Sequence, residues 1–330
     1  MNLIKVRTFF VLLLIIFLMT PQTVVSQTNN DITAGIQLFE TKKYPEAKKF
    51  FEAYTKNNQS NPIAASYLGR ISFHEGNYEK AIDWFEKAVD LDEKNSDYHL
   101  WLGRAYGIKA QKAGLLKKFS AAKNVKKEFE KAVELNPDNI DARMGLLQFY
   151  LMAPGIIGGS KDKAREQAGE IKKRNVHQGH LAFGFIHSMD EKYDLAEKEF
   201  QAAMIANPAD YQAYYQLGYL YARQKEFDKA SELFENLLKS YPDQVAAYFH
   251  LGRIALMSGK NLDKGEEYLK KYLQTEASYE RPSFAFAHLL LGHIYNMQER
   301  KDLAKVEYEK ALELEPDFKA AEKALDGLEN

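Results

Sequence analysis

A pattern that returns every 34 residues constrains this chain more than any single motif. Gly184 to Gly218 is one such step, and Leu217 to Leu251 is another. Leu-Gly pairs stand at Leu68-Gly69, Leu102-Gly103, Leu217-Gly218, Leu251-Gly252 and Leu291-Gly292, each inside helical apolar spacing. Tyr106, Tyr221 and Tyr295 follow three of these glycines by three residues. A second pattern trails the first. Ala81, Ala196, Ala230 and Ala304 each lie 12 residues after Gly69, Gly184, Gly218 and Gly292. Phe85, Phe200, Phe234 and Tyr308 come four residues later, then Ala88, Ala203, Leu237 and Ala311. Pro208, Pro242 and Pro316 close those units, and Pro137 closes another. An aromatic four residues after a small Ala lies one turn away on the same helix face. Proline cannot extend a helix and restricts the residue before it. The unit is therefore a helix pair, and no pair buries its apolar face alone, so the core must come from stacking.

This period, with these residue types on paired helices, resembles the tetratricopeptide repeat family over residues 28–318. The resemblance implies an all-α fold, an α-solenoid of about eight helix pairs. The register gives units 28–61, 62–95, 96–139, 140–176, 177–210, 211–244, 245–284 and 285–318, with a capping helix over 319–330. Four units depart from it. The first has Ala34-Gly35 for Leu-Gly and no closing Pro. The third carries about ten extra residues around 107–118. The fourth replaces its turn with an Ala-Pro-Gly-Ile-Ile-Gly-Gly loop at 153–159, similar to loops in a subset of bacterial members. The seventh has Gly265 where Ala is usual, and a long exit through 275–283.

Ahead of the repeats, Lys5 and Arg7 precede an apolar run of 11 residues, from Phe9 to Met19. Thr20-Pro21 ends the run, and Val24-Val25-Ser26 precedes Gln27. That is the layout of a secretory signal peptide over 1–26, cleaved after Ser26; a membrane span needs roughly 20 apolar residues. The mature chain is expected to be exported to a periplasm or the extracellular space, without a membrane span. An uncleaved leader acting as an anchor is the alternative. Charge balance is near zero, with 45 Lys+Arg against 46 Asp+Glu, which argues against nucleic acid as a partner. There is no cysteine, so disulfides, thiolate metal sites, a Cys nucleophile and a lipoprotein anchor are all excluded.

No catalytic spacing appears and no cofactor is expected. Carboxylates such as Glu75, Glu79, Asp83 and Glu86 sit beside lysines at helical spacing and read as a solvated face. His177, His180 and His187 form a weak metal candidate, since they stand in the register of packing aromatics such as Tyr214 and Tyr221. The stretch from Gly155 to Lys161 faintly resembles an anion-binding loop, with Ser160 as N-cap, but lacks the order of a P-loop.

The family's first helices line a concave surface that binds peptides or protein segments. The corresponding stripe here includes Arg70, Arg104, Phe185, Tyr215, Tyr219, Phe249 and Arg253. Arg with Tyr and Phe is the composition of interface anchors, and Arg takes a carboxylate through two parallel bonds. The resemblance therefore implies a non-enzymatic scaffold binding a protein or peptide of unknown identity. Packing of these Arg against acidic residues of neighbouring repeats is the competing reading. A subunit that assembles, as a homo-oligomer for instance, through its convex face or cap is the other.

Overall fold

The computed structural model describes residues 32–112, 115–276 and 281–329. The expected leader lies outside the described residues, as do 113–114 of the insertion and 277–280 of the long exit. Among the described residues the fold is all-α, with no strand. The described residues fall into two compact units, divided between Gln59 and Ser60.

In the first unit, α1 (Thr33–Glu40) and α2 (Tyr44–Asn57) make one antiparallel pair. Its core is Phe39, Ala47 and Phe51. Phe39 meets Tyr44 edge-on, with ring centroids 5.2 Å apart.

The second unit is an α-solenoid of paired helices. Its pairs are α3 (Pro62–His74) with α4 (Tyr78–Leu91), α5 (Ser96–Lys112) with α6 (Leu115–Leu135), and α7 (Ile140–Met152) with α8 (Lys161–Arg174). Then come α9 (Val176–Met189) with α10 (Tyr193–Ala206), and α11 (Gln212–Arg223) with α12 (Phe227–Ser240). Last are α13 (Ala246–Ser258) with α14 (Leu262–Leu273), α15 (Phe284–Met297) with α16 (Lys301–Leu314), and the final helix α17 (Lys319–Glu329).

The repeat glycines are accounted for by a large side chain of the second helix that presses on them, Leu269 at Gly252 and an aromatic at the others. A Cβ on Gly69, Gly184, Gly218 or Gly292 would come within 2.5 Å of Phe85, Phe200, Phe234 or Tyr308. Phe129 is wedged between two such positions, Gly103 and Gly145. Helices α6, α10, α12 and α16 each stop two residues before Pro137, Pro208, Pro242 and Pro316, as the missing N–H requires. Asn61, Asn139 and Asn175 cap the next first helices through their side-chain oxygens.

The turn inside each regular pair is also built alike. Seven residues after the glycine, the backbone is left-handed at Lys42, Gly76, Glu191, Lys225, Gly259 and Glu299. In five of these turns the next N–H returns to a carbonyl five residues back, as from Lys192 to His187 and from Glu226 to Tyr221, the usual glycine-type helix stop. In the third and fourth pairs the residues seven after the glycine, Ala110 and Met152, are still helical. There the extra residues lengthen α5 and α6 to 17 and 21 residues. After α7 the chain instead makes a 3-10 turn at Gly155–Ile157. Gly159 then lies so close to Ala153 that a Cβ would sit 1.7 Å from its carbonyl oxygen.

A polar substitution recurs within the repeat. His99, His180 and His288 stand four residues before their glycines. Each bonds a carboxylate that precedes the wedged aromatic: Glu128, Glu199 and Glu307, all at 2.6 Å. In the sixth and seventh pairs the corresponding residues are Tyr214 with Leu233 and Tyr248 with Tyr268.

Candidate functional site

The first helices of residues 60–330 share one face, and packing divides its stripe in two. Of the positions three residues before the glycine, Ser66, Leu100, Leu181, Phe249 and Leu289 are buried, while Tyr215 is half-buried. Positions one residue after it stay accessible: Arg70, Arg104, Tyr219, Arg253 and His293, with Phe185 and Gln148 beside them. This corrects the expectation for Phe249. It is 1% exposed, held by Tyr272 at 5.5 Å and Phe286 at 5.6 Å, so a partner does not reach it. Phe286 carries the apolar surface there instead.

The three arginines have different surroundings. The guanidinium of Arg70 lies 4.9 Å from the Tyr67 ring and 5.1 Å from that of Trp101. Arg104 lies over the same Trp101 at 4.8 Å and pairs with Asp141 at 3.1 Å. Packing against a neighbouring acidic residue therefore describes Arg104. Arg253 stacks on Tyr219 at 4.7 Å and has no carboxylate at ion-pair distance among the described residues. Its Nε is buried without a hydrogen-bond partner. Beneath it, His250 is buried against Tyr215, Tyr219 and Phe234. Burial first, and the Arg253 charge second, push its imidazole down to about 3, so it is neutral at pH 7. Arg253 thus carries the positive charge of this patch, on an aromatic floor.

Two hollows open along the same face. One, of about 530 Å³, lies between α5, α6, α7 and the 153–159 loop, with Arg104 at its edge. The other, of about 420 Å³, lies between α7, α9 and α11. Gln148 lines both. The second is rich in amides, from Gln148, Gln178, Gln212 and Gln216, with Phe185 and Met144 as apolar wall. Sequence reading places Phe185, Met144 and Gln148 on this stripe but not Gln178, Gln212 or Gln216. Gln178 and Gln212 both stand six residues before a repeat glycine, a recurrence present in the sequence.

The histidine candidate does not come together. His177 bonds the Ala203 carbonyl and Asp210, both at 2.8 Å. His180 bonds Glu199, and His187 keeps a buried Nδ1 apart from both. Among the described residues no group of three His, Asp or Glu is placed to hold a metal. The 155–161 loop is likewise occupied with itself. The N–H groups of Ile157, Gly158, Gly159 and Ser160 donate to Pro154, Gly155, Pro154 and Tyr150. Lys161 is held by Asp190 at 2.5 Å. An anion would find no row of free donors there. No described helix is long and apolar enough to cross a membrane.

Comparison with known proteins bears on the fold. Family models described as tetratricopeptide repeat match residues 190–234, 217–281 and 287–318. A model described as regulator of microtubule dynamics protein 1-3 matches residues 37–146. None of the curated proteins compared matches the sequence. Among solved structures, a tetratricopeptide repeat protein from Parabacteroides merdae is similar at 16% identity, with a TM-score of 0.52, over 82% of this chain and all of its own. A thermophilic TPR protein of Thermus thermophilus is similar at 18% identity and TM-score 0.50, over 58% of this chain and 97% of its own. An IFIT1 monomeric mutant solved with m7Gppp-AAAA reaches a TM-score of 0.56 at 16% identity, over 89% of this chain and 70% of its own. At these identities the likeness is one of fold.

Proposed function

We propose that this chain, a tetratricopeptide-repeat protein, is an exported, non-enzymatic scaffold that holds a protein segment along the first-helix face of residues 60–330. The observation that carries this reading is the amide-rich hollow at Gln148, continued along the face by Tyr219 and Arg253. The amide-rich hollow offers donors and acceptors to an extended backbone. Phe185, Tyr215 and Tyr219 offer apolar contact, and Arg253 offers an open guanidinium for a partner carboxylate. Arg104 would have to exchange Asp141 for the partner, so it contributes less. The leader features at Lys5, Arg7 and Phe9 to Met19 support export, with the mature chain beginning at Gln27.

Affinity capture with residues 27–330 from a native cell-envelope extract tests the reading. A second bait carries R70E, R104E and R253E. Proteins held by the first and lost by the second identify the partner. Proteins held equally by both would move the interaction to another face and overturn the groove assignment. The last pair favours one such alternative. Leu303, Val306 and Leu314 of α16 are exposed, an apolar surface suited to assembly. If that surface mediates association, removing 317–330 changes oligomeric size while the Arg variants do not.

A further inference from the structure

Two of the four departures from the repeat, the lengthened third pair and the 153–159 loop of the fourth, meet at one cavity. The lengthened α5 contributes Gly107, Ile108 and Gln111, and the 153–159 loop contributes Ala153, Pro154 and Ile157. Val125 and Phe129 of α6 and Phe149 and Met152 of α7 complete the apolar walls. At about 530 Å³ the space falls in the range of small-molecule pockets, in a class of structure whose interiors are otherwise close-packed.

Gly107 gives a second, independent sign. Gly103 and Gly145 are pressed on by Phe129, which accounts for them. A Cβ on Gly107 would meet nothing within 4 Å. Glycine inside a helix is unfavourable without such a reason. Here it leaves room, and the room is the cavity.

The lining also has a distinct charge pattern. Among the described residues, Arg104 is its one charged side chain, Gln111 and Gln148 are its other polar side chains, and no carboxylate lines it. The partner of Arg104, Asp141, has a side chain 67% exposed, so that pair is screened by water and exchangeable. A ligand carboxylate at the rim could take the guanidinium in its place. A peptide backbone would need many more polar partners than two amides, and those lie in the neighbouring hollow. We propose that this cavity binds a small amphiphile, with an apolar body among Ile108, Phe149 and Met152 and one carboxylate at Arg104. This goes beyond the scaffold reading and does not depend on it.

The test titrates residues 27–330 with dodecanoate, dodecanol and dodecyltrimethylammonium, each below its micelle concentration. Calorimetry gives affinity and stoichiometry. Fluorescence adds a local signal, because Trp101 lies 4.8 Å from Arg104 and is one of only two tryptophans. The expected result is one dodecanoate per chain, at least tenfold weaker binding of dodecanol, and weaker binding still of the cation. G107F should fill the cavity and lower dodecanoate affinity at least tenfold. M152E, at an exposed rim position, should do so by charge repulsion. Circular dichroism checks that each variant keeps its fold. R104Q should bring the alcohol and the carboxylate to similar affinity. R253Q should leave dodecanoate binding unchanged while weakening partner capture, which separates this site from the scaffold surface. Absence of saturable dodecanoate binding, or full affinity in folded G107F and M152E, would overturn the proposal. So would equal affinity for the cation, or displacement of dodecanoate one-for-one by the captured partner.

Discussion

Gly218 and Gly107 both interrupt first helices, and their surroundings predict opposite responses to the same change. Alanine is favoured over glycine inside a helix by about 1 kcal/mol. At Gly107 nothing opposes that gain, so G107A should stabilise the protein by roughly 0.5–1 kcal/mol. At Gly218 the new Cβ would lie 2.3 Å from the fully buried ring of Phe234. Overpacking there costs more than the helix gains, and G218A should destabilise by about 2 kcal/mol. Urea denaturation of the two variants checks both signs. The left-handed turns give a third case. Lys225 has φ 62° and an exposed side chain with no ion pair among the described residues. K225G removes the strain of a Cβ in that region, partly offset by greater freedom of the unfolded chain, for a gain of about 0.5–1 kcal/mol in the same assay. Close approach could be read from the sequence because only glycine tolerates it. The left-handed turn could not, since Lys42, Glu191, Lys225 and Glu299 bear no residue-type mark of the backbone they adopt.

At the scale of the element, a His–Glu pair joins the two helices of three repeats, and it is buried at His99 and Glu128. For His99, burial lowers its proton affinity, but the bonds to Glu128 and to the Glu93 carbonyl outweigh it and the imidazole ends above its ordinary 6.5. Burial raises Glu128, and the bonds from His99 and Lys127 reverse this, so its carboxyl ends below 4.5. The sign follows for each group. The His99 contribution is complete below 6.5 and is lost as pH rises through its raised value. The Glu128 contribution is complete above 4.5 and is lost as pH falls through its lowered value. The pair therefore stabilises most between these two values, with Lys131 opposing the imidazolium weakly. Replacing it with Tyr and Leu, the residues of the Tyr214 and Leu233 pair, should reduce the difference in urea midpoint between pH 5.5 and pH 8. H99A alone should cost about 3 kcal/mol, because Glu128 stays buried with only Lys127 beside it. Helix pairing itself was legible in the sequence, since period and proline spacing report it directly. Phe249 was misassigned for a physical reason. A helical wheel gives the face a residue lies on, but not how much of that face the next pair covers, and Tyr272 and Phe286 cover this edge.

Across residues 60–330, each helix packs mainly on its sequence neighbours, and α3, α5, α7, α13 and α15 also touch the helix two places along. The buried clusters follow the chain in order, one centred on α6 to α9, one on α9 to α13 and one on α13 to α17. Such an array has no single centre whose loss unfolds everything, and its stability is a sum of neighbour interfaces. The final helix should therefore act locally. Ala321 is fully buried, and Phe318, Ala324, Leu325 and Leu328 pack on the last cluster. Removing 317–330 uncovers that cluster on α15 and α16 but touches nothing in α3 to α8. Amide hydrogen exchange on the truncated protein should show protection falling in α15 and α16, by a factor that diminishes toward α13, while α3 to α8 exchange as before. A uniform loss of protection would mean that these helices unfold as one cooperative body, and that the repeat period seen in the sequence describes the geometry of the array but not its energetics.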